Sequence, residues 1–330
     1  MHIIDLCKSR WKLPNGTLSP LLVPSFSSRG FPELSNIYEI LSKYISDVSL
    51  VSAFDIYNGY LNFEKIYSSD TVFIDSGGYE IKPIYDPIEA YHDSRTSGNW
   101  NVGLYKDTLK TLNDFSDLII VSYDDLNKIP LEIQIANATD LLEEYPKFSL
   151  DFLWKPEPEE DFYGSPNALI KYKEQLRKFR CLGVTDKELG NSLIDRCLKI
   201  IEIRSILIEC ECDDLPIHVF GCLDPLISLL FFLCGADVFD GLSWLRYVYQ
   251  NNSLLYRQQF SIYSDNFNLS DQEICIASWI DNLDALCNLR NRMKNYSETF
   301  NVNSLYLDEK ETNCFKLIFD RAKILTNGVL

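Results

Sequence analysis

Two segments that lie far apart in the chain each place an aspartate directly after an apolar stretch. Asp75 belongs to the segment 72–79, Val-Phe-Ile-Asp-Ser-Gly-Gly-Tyr, and Asp240 to the segment 238–246, Val-Phe-Asp-Gly-Leu-Ser-Trp-Leu-Arg. Where strands and helices alternate, such residues fall at the C-terminal ends of strands, the edge at which βα folds hold their chemistry. Two carboxylates there can divide a reaction between covalent attack at a sugar carbon and proton transfer. The structural alternatives are an ordinary turn at Asp75 and a loop-capping aspartate at Asp240.

The elements that must position these acids are short apolar stretches, rich in Val, Ile, Leu and Phe and without alternation. Such stretches are typical of strands buried on both faces of a parallel sheet. Eight of them are predicted as strands: Leu21–Val23, Ser49–Phe54, Val72–Asp75, Leu118–Ser122, Ser149–Leu153, Cys181–Val184, Ile217–Phe220 and Val238–Asp240.

Helical patterns fall between many of these stretches. Two sets of residues each share one helical face: Leu131, Ile135, Ala138 and Leu142, and Leu189, Leu193, Cys197 and Ile200. Asp224-Pro225 predicts a helix start. The capping box that begins at Ser270 predicts a long helix to about Met293, and a last helix is expected over Lys310–Ile324.

Eightfold alternation of strand and helix favours a closed (β/α)8 TIM barrel, with an open doubly wound sheet as the main competitor. We expect one α/β domain over residues 1–330, in which residues 247–330 form a helical C-terminal part without a zinc module.

The two aspartate segments resemble the tRNA-guanine transglycosylase superfamily, which includes DNA-acting relatives that insert 7-deazaguanines. That family has Asp-Ser-Gly-Gly-aromatic at the first segment and Phe-Asp followed six residues later by Arg at the second. Asp240 and Arg246 keep this spacing, and the resemblance extends over roughly residues 15–250. It implies a barrel and no cofactor, so it tips the choice of fold towards the TIM barrel.

The resemblance also implies roles for individual residues. Asp240 would attack the sugar carbon of a nucleotide and form a covalent glycosyl-enzyme intermediate, and Asp75 would be the general base. Arg246 would contact a phosphate. The structural alternative is an ordinary surface arginine without a ligand.

A flat base is expected to bind between aromatic side chains. The resemblance implies that Tyr79 covers one face of the base and Phe220 the other, although core packing is nearly as good an interpretation of Phe220. Asp124, or Asp125 if the register shifts by one, would accept hydrogen bonds from the guanine edge. The remaining base-binding candidates offer close backbone approach and amide donors: Ser76, Gly77, Gly78, Gly183 and Gly221.

Three features depart from the family pattern. The cysteines after Asp240 are Cys275, Cys287 and Cys314, and no histidine follows His218, so the family's Cys3His zinc site cannot be built; Cys210 and Cys212 with His218 are only a weak metal candidate. Glu80 stands where the family has glutamine. The acidic loop 155–161 follows a strand and would repel phosphates. We therefore predict no metal site, and DNA is favoured over tRNA as the substrate.

The composition and net charge of the whole chain bear on its partners and on its location. A net charge of −17 is unfavourable for charge-driven nucleic-acid binding, for which Arg290, Arg292 and Lys294 are the better candidate contact. Ten scattered cysteines and no recognisable leader at residues 1–10 suggest a reducing cytoplasm. The longest apolar run, Leu226–Ala236, is too short to cross a bilayer, so no membrane association is expected.

The expected function is exchange of guanine for a 7-deazaguanine in nucleic acid, within a bacterial DNA-modification or antiphage system. The alternative is a 7-deazapurine-binding subunit that acts on a free base, a nucleoside or a modified protein. A third interpretation is an unrelated glycosidase with the same two carboxylates. Expected partners are guanine or 7-deazaguanine, DNA or tRNA, proteins of a defence operon and a second copy of the chain in a homodimer.

Overall fold

Parallel strands close into a barrel in the computed structural model, which describes residues 6–81, 100–113 and 116–325. In these ranges the barrel has eight strands in chain order, and the first pairs with both the second and the eighth. The strands are β1 (Leu21–Phe26), β2 (Val48–Ser52), β3 (Thr71–Asp75), β4 (Asp117–Val121), β5 (Ser149–Leu153), β6 (Cys181–Thr185), β7 (Ile217–Phe220) and β8 (Val238–Gly241). The predicted (β/α)8 TIM barrel is confirmed.

Helices follow the strands and cover the outside of the barrel. The α-helices are α1 (Leu34–Leu41), α2 (Ala53–Tyr57), α3 (Gly78–Ile81), α4 (Val102–Thr111), α5 (Leu131–Glu144), α6 (Lys173–Leu176), α7 (Leu193–Glu209), α8 (Pro225–Leu233), α9 (Ser243–Arg246), α10 (Phe260–Tyr263), α11 (Asp271–Thr299) and α12 (Glu309–Leu325). Short 3-10 helices span Ser42–Tyr44, Phe63–Ser68, Pro166–Tyr172, Asp186–Glu188, Arg257–Gln259 and Val302–Leu305. An antiparallel hairpin of β9 (Val248–Gln250) and β10 (Ser253–Leu255) follows α9.

Alternate residues of each strand point to opposite sides of the barrel wall. A compact apolar cluster that includes Leu21, Val23, Phe73 and Ile119 fills the interior, while a larger cluster packs between the strands and the helices. The strands are therefore apolar on both faces, which is why their sequences do not alternate.

Several boundaries differ from the sequence prediction: β1 runs to Phe26 rather than Val23, and α11 runs to Thr299 rather than to about Met293. The second strand was expected to run to Phe54 but ends at Ser52, because Ala53 begins α2. Leu189 was expected on a helical face with Leu193, yet it lies before α7, whose capping box starts at Ser192. The helix predicted after Asp224 is confirmed, since the Asp224 side chain accepts from the amides of Leu226 and Ile227.

The N-terminal end of the barrel is held by a buried ion network around Asp237, just before β8. Arg204 of α7 lies 2.5 Å from one Asp237 oxygen and Arg10 lies 3.0 Å from the other. Arg204 also donates to the carbonyls of Gly235 and Leu215. These contacts join the start of the chain, α7 and β8 at the end of the barrel opposite the candidate site.

The long helix α11 packs on the barrel and on the segment that follows β8. Its buried Asn282 donates to the carbonyls of Trp244 and Tyr247 and accepts from the amide of Tyr249. Trp279 donates to the carbonyl of Leu245. Among the described helices none is both long enough and apolar enough to cross a membrane.

Candidate active site

Asp240 lies inside the barrel at the end of β8, and both of its carboxylate oxygens are held. Oδ2 accepts a hydrogen bond of 2.8 Å from the Ser25 hydroxyl, and Oδ1 accepts one of 3.1 Å from the Gly221 amide. Gly221 has a φ of +80°, a conformation that glycine adopts without strain and that directs its amide at the carboxylate. With 6% of Asp240 exposed, the carboxylate is buried but reaches the C-terminal end of the barrel. We call this end the mouth; Asp75, Asp124 and Asp240 lie at or just beyond the ends of their strands there.

Asp75 lies at the end of β3, and part of its side chain reaches solvent. Its Oδ2 accepts from the Gly77 amide at 3.0 Å. Protein surrounds the carboxyl on most sides, and this burial, followed by the charges of Glu80, Asp124 and Asp240, raises the pKa of Asp75 to about 8. Because Asp75 ends β3 and Asp240 lies at the end of β8 in one parallel barrel, the two predicted catalytic acids lie at the same end of it.

The serine and two glycines after Asp75 each have a packing role. The Ser76 hydroxyl accepts from the amide of Asp124, and its carbonyl accepts from the Trp100 indole. A Cβ on Gly77 would lie 2.7 Å from that indole nitrogen, and Gly77 has a φ of +88°. A Cβ on Gly78 would lie 2.6 Å from Asp124 Oδ2. The Gly-Gly pair therefore brings the backbone against the Asp124 carboxylate.

Asp124 lies just beyond β4, with 7% of the residue exposed. Lys155 Nζ lies 4.0 Å from Asp124 Oδ2 and 2.5 Å from a Glu188 oxygen. The first residue of the predicted acidic loop is thus a cation close to the candidate base-binding carboxylate, and it offsets part of the negative charge of Asp124 and Glu188.

Glu80 is held in the wall of the mouth. Its two oxygens accept from the hydroxyls of Ser27, at 2.6 Å, and Ser52, at 2.9 Å. Burial and then the charge of Asp55 raise the pKa of Glu80 to about 7. Together with Asp75 it gives the mouth two carboxyl groups that titrate near neutral pH.

Tyr79 lies between two arginines. The Arg29 guanidinium lies over the tyrosine ring, 4.4 Å from its centroid, and also donates to the Tyr79 carbonyl. Arg246, at the end of α9, donates to the tyrosine hydroxyl at 2.9 Å. Arg29 therefore occupies one face of the ring that was expected to cover a base. Arg246, predicted to contact phosphate, is half-buried beside it.

Phe220 lies on the inner side of β7 and stacks on His218, with 3.9 Å between ring centroids. A Cβ on Gly183 of β6 would lie 2.5 Å from Phe220 Cε2, so the ring covers the glycine that was expected to face a base. Phe220 belongs to the apolar cluster inside the barrel. It therefore forms the floor of the mouth and packs in the core as well.

Three site residues were not predicted: His218, Asp151 and Ser25. His218 is completely buried, with its Nδ1 2.6 Å from Asp151 Oδ2 and its Nε2 3.3 Å from Asp240 Oδ1. The sequence signal that could have revealed His218 and Asp151 is the alternation of side chains, with a period of two, along each strand. His218 and Asp151 lie two residues before the inward-facing Phe220 and Leu153, so both had to point inward once those residues did.

Other predicted contacts lie away from the mouth. His218 cannot bind a metal together with Cys210 and Cys212, because its ring lies inside the barrel and is hydrogen-bonded to Asp151 there. Within the described ranges no three His, Cys, Asp or Glu side chains are grouped to hold a metal ion. Arg290, a candidate nucleic-acid contact, pairs with Asp47 at 2.7 Å, just before β2 and thus at the opposite end of the barrel.

Comparison with known proteins adds no further constraint. No protein-family model matches the sequence, and a search of curated proteins gives no significant match. The fold and the geometry of the mouth are therefore the basis on which a function is argued.

Proposed function

We propose that this chain is a transglycosylase-like enzyme that replaces guanine by a 7-deazaguanine in a polynucleotide, with DNA favoured over tRNA. The observation that carries the proposal is the convergence of Asp75 and Asp240 on one barrel mouth, where Asp240 influences the protonation of Asp75. The resemblance of the segments around both residues to the tRNA-guanine transglycosylases supports the same chemistry.

The steps follow from the positions of the two acids. An oxygen of Asp240 attacks C1′ of the nucleotide, the C1′–N9 bond breaks, and its electron pair leaves with the guanine. Asp75, with a pKa of about 8, gives the departing base a proton. The same carboxylate then takes a proton from the incoming base, whose nitrogen attacks C1′ and releases Asp240.

The base would lie over Phe220, with Asp124 at its edge. A carboxylate only accepts hydrogen bonds, so Asp124 suits the adjacent N1–H and amino donors of guanine. Gly78 allows this carboxylate to lie against the backbone. A nucleotide in a duplex would have to leave its stack to enter the mouth.

The test is transfer of labelled guanine into DNA and into tRNA, with the covalent adduct trapped on a denaturing gel. We expect an adduct with the unaltered protein and a loss of exchange of at least ~10³-fold in Asp240→Asn, which removes the nucleophile with little change of shape. Asp47→Asn, whose ion pair with Arg290 lies at the other end of the barrel, is the matched control.

A second candidate function is a 7-deazapurine-binding subunit that acts on a base, a nucleoside or a modified protein. The carboxyl groups of the mouth favour it, because Glu80 above about pH 7 and Asp75 above about pH 8 add negative charge that would repel the phosphates of a polynucleotide. In the same assay this alternative predicts binding of the free base without an adduct on DNA or tRNA. Exchange that survives in Asp240→Asn would contradict the assignment of the nucleophile.

A further inference from the structure

A line of ionisable side chains crosses the inside of the barrel beneath the mouth. Asp151 of β5, His218 of β7 and Asp240 of β8 follow one another, with 2.6 Å between Asp151 and His218 and 3.3 Å between His218 and Asp240. Asp151 and His218 are completely buried. Three strands thus contribute one residue each to a line that ends at the candidate nucleophile.

The neighbours of His218 determine its charge. The carboxylates that face it are Asp151 on one side and Asp240 on the other. The rings of Phe220 and Phe73 pack against it, with centroids 3.9 Å and 5.2 Å away, and Gly183 pairs with it from β6. A neutral imidazole can donate to one carboxylate only, whereas the imidazolium ion has an N–H for each.

Two opposing effects act on the proton of His218. Burial alone would lower its pKa, but the charge and hydrogen bond of Asp151, and then the Asp240 carboxylate 3.3 Å from Nε2, outweigh burial and raise the pKa to about 9. The ring therefore carries a proton at neutral pH and lies between the carboxyl groups of Asp151 and Asp240. Burial raises the pKa of Asp151, and the charge of His218 offsets part of that rise.

We propose that Asp151 and His218 are positioning residues for Asp240: Asp151 holds the imidazolium ring in place, and the ring keeps Asp240 an ionised carboxylate at the barrel mouth. The inference rests on the proposed function, in which Asp240 is the nucleophile.

The acids around the mouth explain why Asp240 needs a cation beneath it. Carboxyl groups at Asp75, Glu80 and Asp124 lie at the same end of the barrel as Asp240, and burial followed by charges that include that of Asp240 raises the pKa of Asp75. Like charges favour protonation of a carboxylate, and a protonated Asp240 cannot attack C1′. When the C1′–O bond breaks in the second step, its electron pair returns to Asp240, and the neighbouring imidazolium stabilises that charge.

Two variants separate this role from simple packing. Asp151→Asn keeps the size of the side chain but removes the charge that holds His218 protonated. His218→Gln keeps a polar group and removes the cation itself, and it decides the question alone if Asp151→Asn does not fold. Asp47→Asn is the control, since it removes an aspartate from an ion pair at the other end of the barrel.

Two measurements on the full chain apply to each protein. The first is the ¹³Cγ resonance of Asp240 followed by NMR as a function of pH. The second is the rate of adduct formation with a guanine-containing single-stranded DNA oligonucleotide between pH 5 and 9. In both Asp151→Asn and His218→Gln we expect the acid limb of each curve to move upward by about one to two pH units, which is a ~10- to 100-fold loss of rate on that limb. Near pH 8 the variants and the unaltered protein should react at similar rates.

The outcomes distinguish the two proposals. If both variants lose adduct formation by the same factor at every pH, and Asp240 titrates in them as in the unaltered protein, then Asp151 and His218 have only a structural role. In that case the inference is wrong. If the unaltered protein forms no adduct while Asp240 still titrates at higher pH in both variants, the proposed function is wrong and the coupling of charge stands.

Discussion

The raised pKa of Asp75 suits the proton transfer that we propose for it, and it is costly for stability. It keeps its proton in the folded protein up to about pH 8, but with its ordinary pKa of 3.8 it loses the proton much earlier in the unfolded chain. The folded state therefore binds more protons at this group between these values. The contribution of Asp75 to the free energy of unfolding is complete below about pH 4, falls between pH 4 and 8, and is lost above pH 8.

Asp75→Asn, which is neutral at every pH, should remove this dependence. We expect the variant to be more stable than the unaltered protein at pH 8.5 by on the order of 1–3 kcal/mol, with a smaller difference at pH 4.5. Loss of proton transfer should lower base exchange by ~10²- to 10⁴-fold. Urea unfolding at both pH values checks the first expectation, and a difference that does not change with pH would contradict it.

Gly183 limits the position of Phe220. In Gly183→Ala the new methyl group would meet the Phe220 ring at 2.5 Å and Asp151 Oδ1 at 3.0 Å. We expect a loss of about 1–3 kcal/mol in the free energy of unfolding, because the ring must move off His218. In a double-mutant cycle with Phe220→Leu the costs should be less than additive, and strict additivity would show that the two residues do not compete for space.

The sequence predicted the ends of the reactive strands better than their interiors. Asp75, Asp124 and Asp240 follow apolar runs, and the barrel places all three at its C-terminal end. Asp151 and His218 were missed because a polar residue within an apolar run looks like an exposed strand position. Only the closed barrel, in which every strand has an inner side, makes both of them internal.

At the level of elements, α11 determines how the segment after β8 is held. Asn282 binds the backbone of that segment at three points and is completely buried. Asn282→Ala should cost about 3 kcal/mol, since it leaves two carbonyls and one amide without partners. Asn291→Ala, on the exposed side of the same helix, should change stability by less than ~0.5 kcal/mol.

Urea unfolding compares these two variants, and amide exchange at Tyr249 locates the effect. Faster exchange at Tyr249 in Asn282→Ala, with no change in Asn291→Ala, is the expected pattern. Equal stability of the two variants would mean that packing rather than hydrogen bonding holds the segment that carries Arg246.

The elements themselves could be predicted because their signals are local. The eight strands and the caps at Asp224 and Ser270 depend on neighbouring residues alone. Leu189 was assigned to a helix because its spacing to Leu193 fits one turn, yet Gly190 approaches Asp195 so closely that the chain turns before the helix starts. The capping box of Ser192 and Asp195 is a local signal that marks this start, and it outweighs the periodicity that includes Leu189.

The charge of the whole molecule bears on the nature of the substrate. At a net charge of −17, protein and polynucleotide repel each other before any contact forms. If DNA is the substrate, we expect adduct formation at limiting DNA to become faster as salt rises from 20 to 150 mM, because salt screens this repulsion. Binding of free guanine should change little over the same range.

The usual protein–DNA complex shows the opposite trend, since release of counterions makes binding weaker as salt rises. A steep fall of the adduct rate with salt would therefore show that a cluster of cations, such as Arg29 and Arg246 beside Tyr79, outweighs the overall charge. The salt series should be measured with the guanine control in parallel.

The ion network at Asp237 and the acids of the mouth lie at opposite ends of the same strands. Architecture and reactivity thus draw on separate sets of residues in this barrel. A library that varies only the loops after the strands would keep the foundation of the fold intact, so the chain offers a scaffold whose specificity can be redesigned without rebuilding its support.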